Sequence, residues 1–167
     1  MCLYVKEENT NLAIAEKDIT CYKILNKAVG YLSGKTLYRT PFFMIPVELG
    51  ERVVAEGRQE FGRKTYPFRK HFTHVANGGF IHTFASMQGI KSFFKNWKED
   101  YSFNLYDCVV VKCYIPKGAQ YYKGIFEGTG LASYASTELV YGKETIEMTS
   151  QADYMHKCVR VSVRVRE

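Results

Sequence analysis

The chain holds 167 residues, 46% of them hydrophobic and 24% charged, which suits one globular domain able to bury roughly 70% of its unfolded surface. No run approaches the roughly 18 to 20 apolar residues that a membrane helix needs, and the N-terminus lacks the apolar segment of a signal peptide. The formal net charge of +6, from 23 Lys and Arg against 17 Asp and Glu, favours contact with anions: nucleic acid, nucleotides or acidic proteins. A cytoplasmic chain is expected, with reduced and mostly buried thiols at Cys2, Cys21, Cys108, Cys113 and Cys158.

Aromatic residues reach 15%, with 13 Tyr and 11 Phe, which points to a β-rich fold with a ring-heavy core. Met1 to Lys6 reads as a short strand, and Glu7 to Asn11 as a polar loop. Asp18 suits a turn before a second strand, Ile19 to Leu25. There Ile19, Cys21, Lys23 and Leu25 share one face, and Thr20, Tyr22 and Ile24 the other. Gly30 to Gly34 punctuates. Leu37 to Leu49 is apolar, but Pro41 and Pro46 keep it out of a central strand, so an edge or a loop over the core is expected. Arg52 to Glu56 is a short strand or turn ended by Gly57.

Arg58 to His74 interleaves Arg58, Arg63, Lys64, Arg69 and Lys70 with Phe61, Tyr66, Phe68 and Phe72. Cations alternating with rings suit a phosphate-bearing, stacking ligand, and equally a surface loop pinned by its aromatics. Asn77-Gly78-Gly79 signals a turn into the strand Phe80 to Phe84. Ser86 fits a helix N-cap, and Met87, Ile90, Phe93, Phe94 and Trp97 recur at helical spacing. That spacing predicts a helix from Met87 to Trp97 with an apolar face turned to the core.

From Asp107 the chain enters its most apolar extended stretch. Val109, Val111, Cys113 and Ile115 point one way; Cys108, Val110, Lys112 and Tyr114 point the other. Both faces are largely apolar, so an interior strand is expected. Ile115-Pro116-Lys117-Gly118 fits a type I turn. Tyr121 to Phe126 and Ser133 to Tyr141 read as strands around a Gly128 to Gly130 turn. Lys157 to Glu167 alternates, with Arg160, Arg164 and Arg166 on the outward face. The expected architecture is α+β, a single domain over residues 1–167, with a mostly antiparallel sheet of about seven strands and one or two helices.

Few residues carry a chemical signature. Cys108 and Cys113 lie five apart and face opposite sides of a strand, so they cannot close one metal site there. No Cys/His spacing matches a zinc knuckle or ribbon, so no metal and no cofactor are expected. Burial in an apolar strand raises a thiol's pKa, which disfavours Cys108 and Cys113 as nucleophiles. Gly124, Gly128 and Gly130 do not make a dinucleotide fingerprint. The row Arg160, Arg164 and Arg166 can track a phosphate backbone, or guard an edge strand against aggregation.

Cys21-Tyr22-Lys23-Ile24-Leu25, Gly78-Gly79-Phe80, His82-Thr83-Phe84, Ile115-Pro116-Lys117-Gly118 and Tyr134-Ala135-Ser136 together resemble a family of small uncharacterised proteins of gut bacteria and their phages. That likeness spans most of the chain and implies a cytosolic accessory protein, with no activity attached. A second likeness is to ADP-ribosyltransferases. Cys21 to Leu25 resembles their strand bearing a key Arg or His. Phe80 to Ser86 resembles the middle strand that leads into a helix. Val109 to Tyr122 resembles the strand and turn before the glutamate, here Glu138. By this resemblance the cofactor is NAD, Glu138 holds the nicotinamide ribose and stabilises an oxocarbenium-like transition state, and Thr83 or Ser86 supports the site. The chain departs from the pattern in having Lys23 in place of Arg, Thr83-Phe84-Ala85-Ser86 in place of Ser-Thr-Ser, and Ser136 in place of an acidic or amide partner.

The leading expectation is a small soluble non-enzymatic binding protein, of phage or bacterial origin, that recognises an anionic or nucleotide-like ligand or a host protein. Its ligand-binding residues would be Arg63, Lys64, Tyr66, Arg69, Thr83, Ser86, Arg160, Arg164 and Arg166. An ADP-ribosyltransferase-like domain using NAD, and an assembly subunit of a larger complex, are the alternatives.

Overall fold

The computed structural model describes residues 3–6, 11–30, 33–41, 44–57, 61–62, 72–75, 79–96, 108–126, 130–151 and 160–164, with backbone alone at 61–62, 72–75, 96, 148–151 and 160–164. Fourteen strand segments and one helix occur among these residues. In chain order they are β1 (Leu3–Lys6), β2 (Ala13–Ile14), β3 (Ile19–Val29), β4 (Thr36–Arg39), β5 (Pro46–Val47), β6 (Arg52–Val54), β7 (Phe61–Gly62), β8 (Phe72–Val75) and β9 (Ile81–Phe84). There follow α1 (Met87–Asn96), β10 (Cys108–Ile115), β11 (Gln120–Phe126), β12 (Ala132–Ser136), β13 (Glu138–Gln151) and β14 (Arg160–Arg164). The expected α+β character and antiparallel pairing stand, and the count of seven strands is corrected. The excess comes from short pieces, such as β2 and β5, that have only two residues each and no periodicity to read.

All pairings are antiparallel, and the sheet runs β14-β13-β10-β3-β9-β12-β11-β1-β8-β7. β2 adds to β11, β6 to β13, and the β4–β5 pair to β3. The β3–β9 join is thin, a single pair of Tyr22 with Phe84. It divides the path into a half built on β3, β10 and β13 and a half built on β9, β12, β11 and β1.

β10 takes the interior place its sequence implies, between β3 and β13. Val109, Val111, Cys113 and Ile115 enter one core cluster with Cys21, Leu25, Leu139 and Tyr141. Cys108 and Val110 enter another on the opposite face, with Ile24, Phe84, Phe126 and the helix residues Ile90, Phe93 and Phe94. Lys112 and Tyr114 emerge to solvent as the strand nears its end. Burial of both faces stabilises the strand by roughly 1.5 to 3 kcal/mol for each fully buried large aliphatic side chain.

α1 begins where expected. Ser86 Oγ accepts a hydrogen bond from the Gly89 N–H at 3.3 Å, the N-cap geometry that satisfies an otherwise orphaned donor. Its apolar stripe seats Phe93 against Phe84 and Phe126, with ring centroids 5.6 Å away in both cases, and Phe84 and Phe126 lie 5.4 Å apart. These tilted and edge-on contacts suit the ring quadrupoles.

Two turns differ from the sequence reading. The turn after β10 spans Pro116 to Ala119, closed by Ala119 N–H donating to the Pro116 carbonyl at 3.1 Å. Gly118 sits at φ 90°, the third position of a type II turn, which favours glycine. The register moves one residue because Lys117 N–H is taken by the Asp18 carboxylate and Gly118 N–H by the Ala15 carbonyl. The stretch Ser133 to Tyr141, expected as one strand, is two. β12 pairs with β9 and β11, the chain bends at Thr137, and β13 continues against β10 and β6. Ser136 Oγ donates to the Glu138 carbonyl at 2.8 Å, and Thr137 Oγ1 accepts from the Gln120 N–H at 3.2 Å, so the hydroxyls fix the bend. The chain thus crosses from one half of the sheet to the other at the residue before Glu138.

Candidate functional site

A cleft of about 350 Å³ opens at the join between the halves. β3 and β13 contribute Lys23 and Tyr141, and β9 with the residue before it contributes Phe80, Ile81 and His82. The Leu37 to Leu49 stretch, expected at an edge or over the core, supplies Pro41, Ile45, Pro46 and Val47 to an apolar wall that Val53 and Val54 of β6 extend. Two prolines and a pair of two- to four-residue strands hold that segment extended at the sheet's margin.

Lys23 is the chemically distinctive residue of the cleft. The alternation of β3 places it between Cys21 and Leu25 on the face turned to the core, and only 7% of it is exposed. Its Nζ donates to the His82 carbonyl at 2.9 Å, across the β3–β9 join. Among the described residues it has no carboxylate partner within ion-pair distance. Burial lowers its pKa from 10.5 to about 8, because a desolvated ammonium is disfavoured, while Cys113 and Cys21 pull the other way. The ammonium therefore remains largely protonated at neutral pH, in an apolar wall, with one backbone carbonyl as its hydrogen-bond partner.

Glu56 is the carboxylate of the described cleft lining and is not within ion-pair distance of Lys23, and the two thiols beside Lys23 are neutral at neutral pH. Burial pushes the Cys21 thiol up to about 11 and the Cys113 thiol up to about 12. The Tyr141 hydroxyl is also pushed well above its ordinary value by burial. Thr83 Oγ1, on β9 beside Cys21, is buried and makes no hydrogen bond of ordinary geometry. A buried cation and a buried hydroxyl at one junction of strands both have capacity for a further polar partner.

The other residues named from sequence are placed as follows. Ser86 spends its hydroxyl on the helix cap. Glu138 opens β13 and its carboxylate takes the Arg52 guanidinium, with Arg52 Nε donating at 2.7 Å and a second contact from Arg52 Nη2. Leu139 and Tyr141 turn inward from β13, so Glu138 falls on the opposite face, and it is absent from the cleft lining. Arg160 and Arg164 lie on β14, opposite Gln151 and Glu147, at one end of the sheet path. Arg63, Lys64, Tyr66, Arg69 and Arg166 lie outside the described residues.

Among the expected residues that are described, only Thr83, next to His82 of the lining, comes near the cleft. The sequence places Lys23 on one face of β3 with Ile19, Cys21 and Leu25, and a lysine between Cys and Leu on an apolar face is itself the signal of this site. Among the described residues no group of three or more metal-ligating side chains occurs, and no helix is long and apolar enough to cross a membrane. Comparison with protein families, with curated proteins and with solved structures finds no match.

Proposed function

We propose that this chain is a binding protein for a small ligand that carries one anionic group on an apolar, nucleotide-like body, held in the cleft with the anion against Lys23. The observation that carries this is the burial of the Lys23 ammonium without a carboxylate partner among the described residues. An unpaired buried charge costs several kcal/mol, and an incoming phosphate or carboxylate offsets much of that cost by charge-assisted hydrogen bonds. The apolar wall and the volume of about 350 Å³ suit a small organic body with one polar end. Lys23 is the single cation of the described lining, which favours one anionic group over a polyphosphate.

Thermal shift with inorganic phosphate, AMP and NAD tests this, because a ligand that binds the native state raises the melting temperature. A shift in the wild-type protein that Lys23→Met abolishes is expected. An equal shift in that variant would remove the cleft from the proposal and return it to the basic residues of Arg58 to His74 and β14.

A second reading, the ADP-ribosyltransferase-like one, draws support from the neighbourhood of its three segments. β3 and β9 pair at Tyr22 and Phe84, β9 runs into α1, and β12 pairs with β9 and leads directly to Glu138. The pairing of Glu138 with Arg52 outside the cleft weighs against it. NAD turnover lost in Glu138→Gln would favour this second reading; a protein that binds NAD without turning it over would leave the first.

A further inference from the structure

The cleft also holds the parts of a different chemistry. We propose that Lys23 Nζ is a nucleophilic amine that captures small aldehydes or ketones of apolar body as an imine. The cleft is shared with the proposed anion site, but the covalent step does not depend on an anion being bound.

Three features of the site support it. The amine lines an open cleft while remaining 93% out of solvent, so a carbonyl compound reaches it and bulk water does not surround it. The His82 carbonyl accepts one of its N–H bonds at 2.9 Å, which orients the nitrogen and leaves the lone pair of the neutral amine unused. The wall of Pro46, Val47 and Val53 favours an apolar substrate body and disfavours the hydrolysis that returns an imine to its components. Desolvation also makes the neutral amine accessible near pH 8, which is the usual route to lysines that form Schiff bases.

The step balances without any further reagent. The neutral amine forms an N–C bond to the carbonyl carbon as the C=O π bond breaks, and the oxygen takes up the proton that nitrogen releases. Loss of that hydroxyl with the second nitrogen proton, as water, leaves the imine. The titratable groups that act on the amine are Cys21 on β3 and Cys113 on β10, and Tyr141 on β13, His82 on β9 and Glu56 share its cleft lining. Cys21 and Cys113 are held as thiols near pH 8, so neither competes as a thiolate nucleophile.

The test treats the wild-type protein at pH 8 with benzaldehyde or hexanal and cyanoborohydride, then maps the reduced adducts by peptide mass spectrometry. Lys23 is expected to be labelled at least about tenfold faster than the exposed Lys17, Lys91 and Lys143, because the cleft gathers the apolar carbonyl compound against its amine, whose pKa burial lowers to about 8. Lys23→Arg should lose that adduct and keep the others, but the mapping stands without the variant. Labelling spread over the exposed lysines, with no preference for Lys23, overturns the proposal. Thermal shift with phosphate on the same preparation separates the two ideas. A shift without Lys23 labelling overturns the imine alone, and labelling without a shift overturns the anionic ligand alone.

Discussion

Replacing Lys23 by methionine should make the protein more stable. The ammonium's fall from 10.5 to about 8 corresponds to roughly 3 kcal/mol of unfavourable burial at neutral pH. Methionine keeps the length of the side chain and removes the charge, but gives up the hydrogen bond to the His82 carbonyl, at a cost of about 1 to 2 kcal/mol. The net gain at pH 7 is then about 1 to 2 kcal/mol, which for a chain of this size raises the melting temperature by roughly 2 to 8 °C. The pH dependence is the sharper signature. Between pH 8 and 10.5 the unfolded chain keeps its lysine proton while the folded chain has released it. The unfolded state therefore binds more protons in that window, and the wild type gains stability as pH rises. Cys21 and Cys113, with folded values of about 11 and about 12, act in the opposite sense above pH 9, where the unfolded thiols ionise first. Those thiols are present in both proteins, so they largely cancel in the difference. The advantage of Lys23→Met should narrow by about 1.4 kcal/mol between pH 7 and pH 9. Urea denaturation of both proteins at the two pH values, in buffers free of phosphate, measures it. A variant less stable than the wild type at pH 7, or a gap that does not change with pH, would refute the reasoning.

Two further substitutions probe the frame around the cleft. A Cβ at Gly142 would stand 2.3 Å from the Lys112 carbonyl oxygen, beside the register shift between β10 and β13, so Gly142→Ala should cost about 1 to 3 kcal/mol in denaturant midpoint. An unchanged midpoint would show that β13 is freer to move than its pairing implies. Glu138→Gln removes a carboxylate whose Arg52 partner is largely exposed, so stability should change by less than about 1 kcal/mol. A larger loss would mean that the Arg52 pair helps to hold β6 on β13.

How much was visible beforehand depended on whether residues signal their neighbours or only their own conformation. β10 was legible because two apolar faces demand two covering layers, and α1 because Ile90, Phe93 and Phe94 repeat at helical spacing behind a capping serine. The bend at Thr137 was not, since the local bond from Ser136 to the Glu138 carbonyl forms only once Gln120 of β11 holds Thr137, a contact set by tertiary register. The turn at Pro116 shifted for the same reason: Asp18 and Ala15, about a hundred residues away in sequence, take the N–H groups. At the site, local pattern placed Lys23 on the inner face of β3 but not at a cleft, because the cleft exists only where β9 and the 40–56 segment meet β3. Basic and aromatic richness drew attention instead to residues such as Arg63 and Arg160, where charge is apparent without any fold.

Crystals soaked with tungstate, a heavy phosphate analogue, address the Lys23 cleft most directly. The expected result is a tungstate peak within about 3 Å of Lys23 Nζ, the reach of a charge-assisted hydrogen bond, and no such peak in Lys23→Met. Tungstate bound elsewhere on the basic surface, with the Lys23 cleft holding none, would contradict it.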